Sequence, residues 1–528
     1  MPDVVVVGSG HNALVSACYL ARAGLSVTVL ERDSVLGGAV STVERFPGYH
    51  MDRGSSAHVM IRHTGIVEDL ALDRHGLHYQ DLDPWAFAPF ATPDGGQQAL
   101  TFSVDLDRTC QSITAMCGER DAVAYHGFVT DWAARNKLVL DAFQGLPTPS
   151  RVGRSLWGLG RRTGLSGMEL SRQFLTSGDA LLDAHFTDER LKTALAWLGA
   201  QSGPPVHEPA TADLVGWLSL LHTRAPGHPR GGSGMLSAAL ADRLRSDGGC
   251  VRLGDGAARI LTRGGTVCGV RTESGDVLPT STVVAGCHVL TTVALLGDDV
   301  PARLRSGAAG IRVGNGIGMA VRLGTTDLPR YPAAADDGSS YRAMQLLVPD
   351  RQALRDAYAD YLRGEPPTRP PVLAMTFSAF DATIAPPGRH NVTLWGQWHP
   401  YRLRDERWRD IERREADRMI AAVDAAAPGF VDTVEHVHVQ SPLALEEELG
   451  LLRGNVMHVE MTLDQMFGWR PLPELSGHRV PGVGGLYLTG ASLHPGGGVF
   501  GAGGRTAAAL ILRDRAGLRG RLSARLTR

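Results

Sequence analysis

The sequence predicts an α/β protein in which one parallel-sheet domain is discontinuous, assembled from three separated parts of the chain, with a mixed α+β domain inserted between them. Three stretches carry this prediction. Residues 4–31, 229–286 and 485–511 each combine strand patterns, a glycine-rich turn and a helix at the short spacing of parallel βα units. The stretches between them follow no such rule. At 528 residues and 43% apolar content, the chain has ample material for two cores.

The first element is Val4–Val7, four β-branched residues that read as a fully buried strand. It breaks at Gly8-Ser9-Gly10-His11-Asn12-Ala13, and a helical pattern follows through Leu14, Ala17, Leu20 and Ala21 to Gly24. Gly8 permits the sharp turn, Gly10 lets backbone approach a pyrophosphate, and Ala13 is small enough for helix and strand to pack closely. A pyrophosphate there faces the helix N-terminus, whose free N–H groups and dipole favour negative charge. The second strand, 26–30, is closed by Glu31, a carboxylate placed to accept both ribose hydroxyls and to repel a 2′-phosphate. An isolated glycine pattern is weak evidence. Strand, helix and acid at their expected distances make it a Rossmann-like dinucleotide-binding unit.

Next come Arg32, the pair Gly37-Gly38 with Ala39, then Phe46-Pro47-Gly48-Tyr49 and Asp52-Arg53-Gly54-Ser55-Ser56. A second glycine pair lets backbone come close to an extended cofactor. Further on, Pro229-Arg230-Gly231-Gly232-Ser233-Gly234-Met235 opens a helix through Leu236, Leu240 and Leu244. Strands over 251–253, 257–261 and 267–272 follow, and 282–286 returns to the parallel sheet. Near the C-terminus, 485–490 is a short strand ending in glycine. The loop after it contains Ala491, Gly496, Gly497, Gly498 and Val499 and leads into an alanine-rich helix. Seven glycines from Gly490 to Gly504, set between a strand and a helix, argue against an ordinary surface loop.

These motifs resemble the flavoprotein group that contains the phytoene desaturases, the monoamine oxidases and the Rab GDP-dissociation inhibitors. Within it, Gly10-His11-Asn12 followed by Ala13-Leu14-Val15, together with the Phe-Pro-Gly-Tyr segment, resembles the branch called pyridine nucleotide-disulfide oxidoreductase domain 2. The resemblance covers about the first sixty residues, 228–300 and the last fifty. It implies FAD rather than NAD as cofactor, held by a domain made of 1–75, 225–300 and 475–515. The contacts it implies are Gly8, Gly10, Ala13, Glu31, Arg32, Gly37, Gly38, Ala39, Gly54, Ser55, Ala257, Gly490, Ala491, Gly496, Gly497, Gly498 and Val499, with the Gly54 segment near the flavin ring and Ala257 near adenine. Where the wider superfamily ends its last strand Gly-Asp, this chain has Gly490-Ala491-Ser492.

The inserted domain is expected over 76–224 and 301–474. Its first half is mainly helical by pattern, around Trp132 and Phe143 and again around Phe174 and Phe186. Its second half mixes strands near 317–323, 344–348, 372–378 and 392–397 with a charged helix near 404–426. A strand-rich floor under a helical roof encloses an apolar site. The resemblance therefore implies an FAD-dependent oxidoreductase of phytoene-desaturase type. Such an enzyme moves hydride between flavin N5 and a C–H of an apolar, unsaturated carotenoid- or polyene-like substrate, with ring closure as a coupled outcome. A flavin amine or amino-acid oxidase is the alternative, and a carrier of lipidated partners without chemistry is the second. Amine oxidases of the group place a lysine from this sheet beside flavin N5, and 301–474 contains no lysine. His494, His58 and Arg62 are the acid–base candidates, with satisfied structural histidines and a surface arginine as the other reading.

Net charge of −2 predicts no bulk attraction to nucleic acid. Six scattered cysteines without a CxxC pair read as reduced thiols, with no metal site. The chain enters its first strand without a leader pattern, and no apolar run approaches the ~18 residues of a membrane span, so a cytoplasmic protein is expected. The basic tail over 516–528, continuing a helical pattern, offers a peripheral contact with an anionic membrane. Nothing in the sequence speaks to oligomeric state.

Overall fold

Val4–Val7, buried on both faces, lies at the centre of a five-stranded parallel sheet. The structure is a computed structural model and describes residues 1–164 and 166–526. The sheet order is Leu486–Leu488, Val283–Ala285, Val4–Val7, Val27–Leu30 and Cys250–Arg252. Strands hundreds of residues apart are thus direct neighbours: Val5 pairs with Val283 and with Thr28, and Val283 pairs with Leu486. The α/β class expected from the three separated stretches is the one observed.

Small residues fix how the helices meet this sheet. Helix His11–Arg22 buries Ala13, Leu14, Ala17 and Leu20 in the same core as the C-terminal helix Ala502–Leu526. A Cβ on Gly504 would lie 2.1 Å from the Asn12 carbonyl oxygen, so the two helices cross at a distance that only glycine allows. Ala13 faces Gly286 beyond the Val283–Ala285 strand, where a second Cβ would come within 2.5 Å of its own.

A second sheet has seven strands, in the order Val434–Gln440, Gly318–Thr325, His390–Gln397, Val372–Met375, Met344–Leu347, Ala86–Ala91 and Gln97–Phe102. Neighbours are antiparallel except Met344–Leu347 beside Ala86–Ala91. Helix Trp408–Ala426 covers one face, packing on Met319, Val321 and Leu323. The alternate residues, Ala320 and Arg322, point to the other face. Helices including Leu106–Cys117, Glu119–Phe143 and Glu189–Gly199 make the roof expected in the first insertion. Ahead of these helices the insertion also contains a hairpin over 86–102 that the mainly helical reading did not place. Ala86–Ala91 is almost wholly buried, so it lacks the alternation that marks a strand, and Pro89 weakens the pattern further.

All six cysteines are free. Among the described residues no helix is long and apolar enough to cross a membrane. The C-terminal helix runs to Leu526, but the side chains of the basic tail from 518 onward lie outside the described residues.

Candidate active site

A cavity of about 730 Å³ runs from the glycine turn after Val7 to the open face of the seven-stranded sheet. One end is bordered by the C-terminal ends of parallel strands, where ligands bind in sheets of this kind. Its lining there includes Gly8, Gly10, Glu31, Gly38, Ala257 and Gly286. The other end is mainly apolar: Met344, Leu373, Met375 and Trp395 stand on the floor, and Phe143 and Trp217 come from the helical roof.

The polar end is built to take an anion. Helix His11–Arg22 begins after Gly10, with no side chain accepting its first N–H groups and no acid in its first turn. A Cβ on Gly10 would meet nothing within 4 Å, so the backbone borders open space. Glu31 Oε2 accepts the Ser9 N–H and the Ser9 hydroxyl at 2.7 Å each, and Oε1 accepts the Asp33 N–H at 2.9 Å. Of about four acceptor positions on a carboxylate, three are therefore engaged within the turn. Glu31 therefore holds the turn while still lining the cavity, with an acceptor position left over toward it. Ser9 Oγ also accepts the Gly37 N–H at 3.0 Å, joining the two glycine motifs. An uncapped helix end, an open glycine and a carboxylate on one wall fit a dinucleotide.

Gly37, Arg32, Ala39, Gly54, Ser55, Gly490, Ala491, Gly497, Gly498 and Val499 also line the cavity. Val499 does so at φ +57°, a strained conformation for a β-branched residue of the kind that clusters at functional loops. Two expected contacts do not line it. Ala13 is turned to Gly286, and a Cβ on Gly496 would meet Met461 Sδ at 2.9 Å.

None of the three acid–base candidates lines the cavity. His58 is buried with Nδ1 2.8 Å from the Tyr79 hydroxyl and Nε2 2.9 Å from that of Ser233. Arg62 donates to the Ala225 carbonyl oxygen and to Asp81. His494 Nε2 donates to the Ala142 carbonyl oxygen at 3.3 Å, its ring edge-on to Phe143. Burial pushes both histidines down to about 3, so they stay neutral. The structure thus packs all three against neighbouring segments and off the cavity wall, correcting the acid–base expectation, although His494 Nδ1 and Arg62 Nε have no partner among the described residues.

Other residues take their place at the wall. His288 and His458 stack at 5.1 Å, and burial keeps both below the usual histidine range. His288 Nδ1 accepts the Leu290 N–H, capping helix Val289–Leu296, while its Nε2 donates to the His458 carbonyl oxygen at 2.9 Å. Arg322, Thr393 and Trp395 stand on the floor, with Arg322 paired to Thr393 across the strands. The strands were legible in the sequence, but two nearly all-buried faces leave no alternation to show which one meets the cavity.

Fold and cavity together define a dinucleotide-binding oxidoreductase of the flavoenzyme type. The model of an NAD(P)-binding Rossmann-like domain matches residues 6–70. The chain is 30% identical to the pyridine nucleotide-disulfide oxidoreductase domain-containing protein 2 of Mus musculus, over 97% of this chain and 93% of that one. It belongs to that family. It is also 28% identical to a phytoene dehydrogenase of Streptomyces griseus, over 80% of each chain. An oxidoreductase from Methanosarcina mazei has the same fold, with a TM-score of 0.62 at 14% identity over 97% of this chain and 99% of that one.

Proposed function

We propose that the protein is an FAD-dependent oxidoreductase acting at carbon in an apolar, unsaturated substrate of carotenoid or polyene type. The observation that carries this reading is a cavity that joins an uncapped helix N-terminus and its glycines to a chamber walled largely by methionine, leucine and aromatic side chains. Bound FAD supplies the hydride chemistry at N5. The residues of the chain supply the rest. Gly10 and the N–H groups after it receive the pyrophosphate, Glu31 fixes their turn, and the Gly54 and Gly497 segments border the middle of the cavity. Met344, Met375 and Trp395 exclude water and orient the substrate against that middle section. The phytoene dehydrogenase relative supports redox at carbon. The absence of any lysine in 301–474 counts against the amine-oxidase alternative.

The visible spectrum of the purified protein tests the proposal. Flavin bands that bleach on anaerobic addition of a lipophilic polyene are the expected result. A colourless protein that FAD fails to reconstitute would sink the reading, and bleaching by amines alone would move it to the alternative.

A further inference from the structure

We propose that Arg322 is an anion subsite in the floor of the cavity, and that the substrate is a lipophilic carboxylate rather than a bare hydrocarbon. This deepens the proposed function, resting on the cavity being the substrate site. Arg322 lines the cavity and is only 2% exposed. Among the described residues no carboxylate lies within 4.0 Å of its guanidinium, whereas the buried Arg53, Arg62 and Arg135 each have an aspartate. Its partners are all neutral: Gln440 Oε1 at 3.2 Å, Thr393 Oγ1 at 3.0 Å, and Ser56 Oγ and the Gly54 carbonyl oxygen at 3.4 Å each. A guanidinium has five N–H donors, so these four contacts leave one over, and two of the four are long.

Nearby acids do not complete the pair. Glu448 is held by Arg45 and faces His438, and Asp52 accepts from the Thr42 hydroxyl and the Ser233 N–H. Both act on Arg322 only from beyond contact distance. Arg470, the other buried arginine without a carboxylate among the described residues, has its fork filled by five backbone carbonyls and lies off the cavity wall. A buried charge is normally paired, and the planar fork of arginine suits a carboxylate. The partner must then come from the cavity's occupant. Leu373, Met375 and Trp395 beside it on the same face offer an apolar bed, so the fitting molecule has one anionic head and a hydrocarbon body.

The test compares decanoate with decanol on the FAD-loaded protein, reading affinity from calorimetry and from perturbation of the flavin spectrum. The acid should bind the wild type about tenfold tighter or more, as expected of a charge-assisted fork. Arg322→Met should erase that preference while the oxidised flavin spectrum stays unchanged, and Arg322→Lys should retain part of it. Equal binding of acid and alcohol to the wild type overturns the proposal, and this arm needs no variant to fold. If Arg322 instead serves negative charge on reduced flavin, Arg322→Met lowers the midpoint potential and leaves the acid preference intact, which also overturns it. Calorimetry reads the preference with or without flavin, so loss of the cofactor reading is distinguishable from loss of this one.

Discussion

Gly10 and Gly37 belong to neighbouring turns, yet their side-chain positions have opposite surroundings. Gly10 has φ −58°, a value any residue adopts, and its missing Cβ would enter open cavity space. Gly37 has φ +103°, and a Cβ there would lie 2.3 Å from the Val40 carbonyl oxygen. Gly10→Val should therefore fold with an unchanged unfolding midpoint and lose bound flavin, because the valine occupies the cofactor's approach. Gly37→Ala should instead lose stability, by about 2 kcal/mol or more, from backbone strain and overlap. Denaturant unfolding and flavin content of both variants check this pair. A Gly10→Val protein that keeps its flavin would displace the pyrophosphate from this turn. The motif that placed both glycines was plain in the sequence, but their different duties were not, since those depend on what packs opposite each.

At the scale of elements, Arg470 ties two loops together. Its guanidinium donates to the carbonyl oxygens of Met457, Val459, Glu460 and Gln465 on one loop and of Ala491 on the other. It is fully buried, and burial pushes it down to about 9, still charged at neutral pH. Met457 and Ala491 both line the cavity, so this cation sets the width of its polar wall from behind. Arg470→Met leaves several buried carbonyls without donors. We expect a loss of at least about 3 kcal/mol and faster proteolysis within 457–470. Unchanged unfolding and digestion would show that water replaces the guanidinium without cost. Such an element was invisible in the sequence, where Arg470 is one arginine among fifty-one and its partners are backbone atoms. The parallel-sheet strands, by contrast, were legible because β-branched runs next to glycine turns have few other solutions. Strand Ala86–Ala91 was missed because burial on both faces removes its period of two.

The whole molecule is held by histidines that fold neutral. His58, His399, His478 and His494 are each at most 2% exposed. His478 donates to the Leu488 carbonyl oxygen at 3.0 Å and His399 to that of Gly396 at 3.1 Å, so both tie strands to loops, while His494 ties its loop to helix Glu119–Phe143. Burial pushes His399 and His478 down to about 4, and His58 and His494 to about 3, against 6.5 for a free histidine. With the folded values depressed, the unfolded chain takes up protons first on acidification. Stability contributed by the neutral rings is complete above pH 6.5 and is lost as the pH falls toward the folded values. Each histidine contributes about 1.4 kcal/mol per unit of pH inside that window. Carboxylates held low, such as Glu448 at about 2 beside His438 and Arg45, lose their contribution only below the ordinary value of 4.5. The interval between pH 6.5 and about 5 therefore reports mainly on the histidines. Urea unfolding across it should show stability falling with more than one proton taken up, and His478→Gln should lower that proton number by about one, because glutamine does not titrate. A stability that is level or rising as the pH falls to about 5 would mean that these rings are already protonated in the native fold, and that the hydrogen bonds assigned to them are drawn in the wrong state.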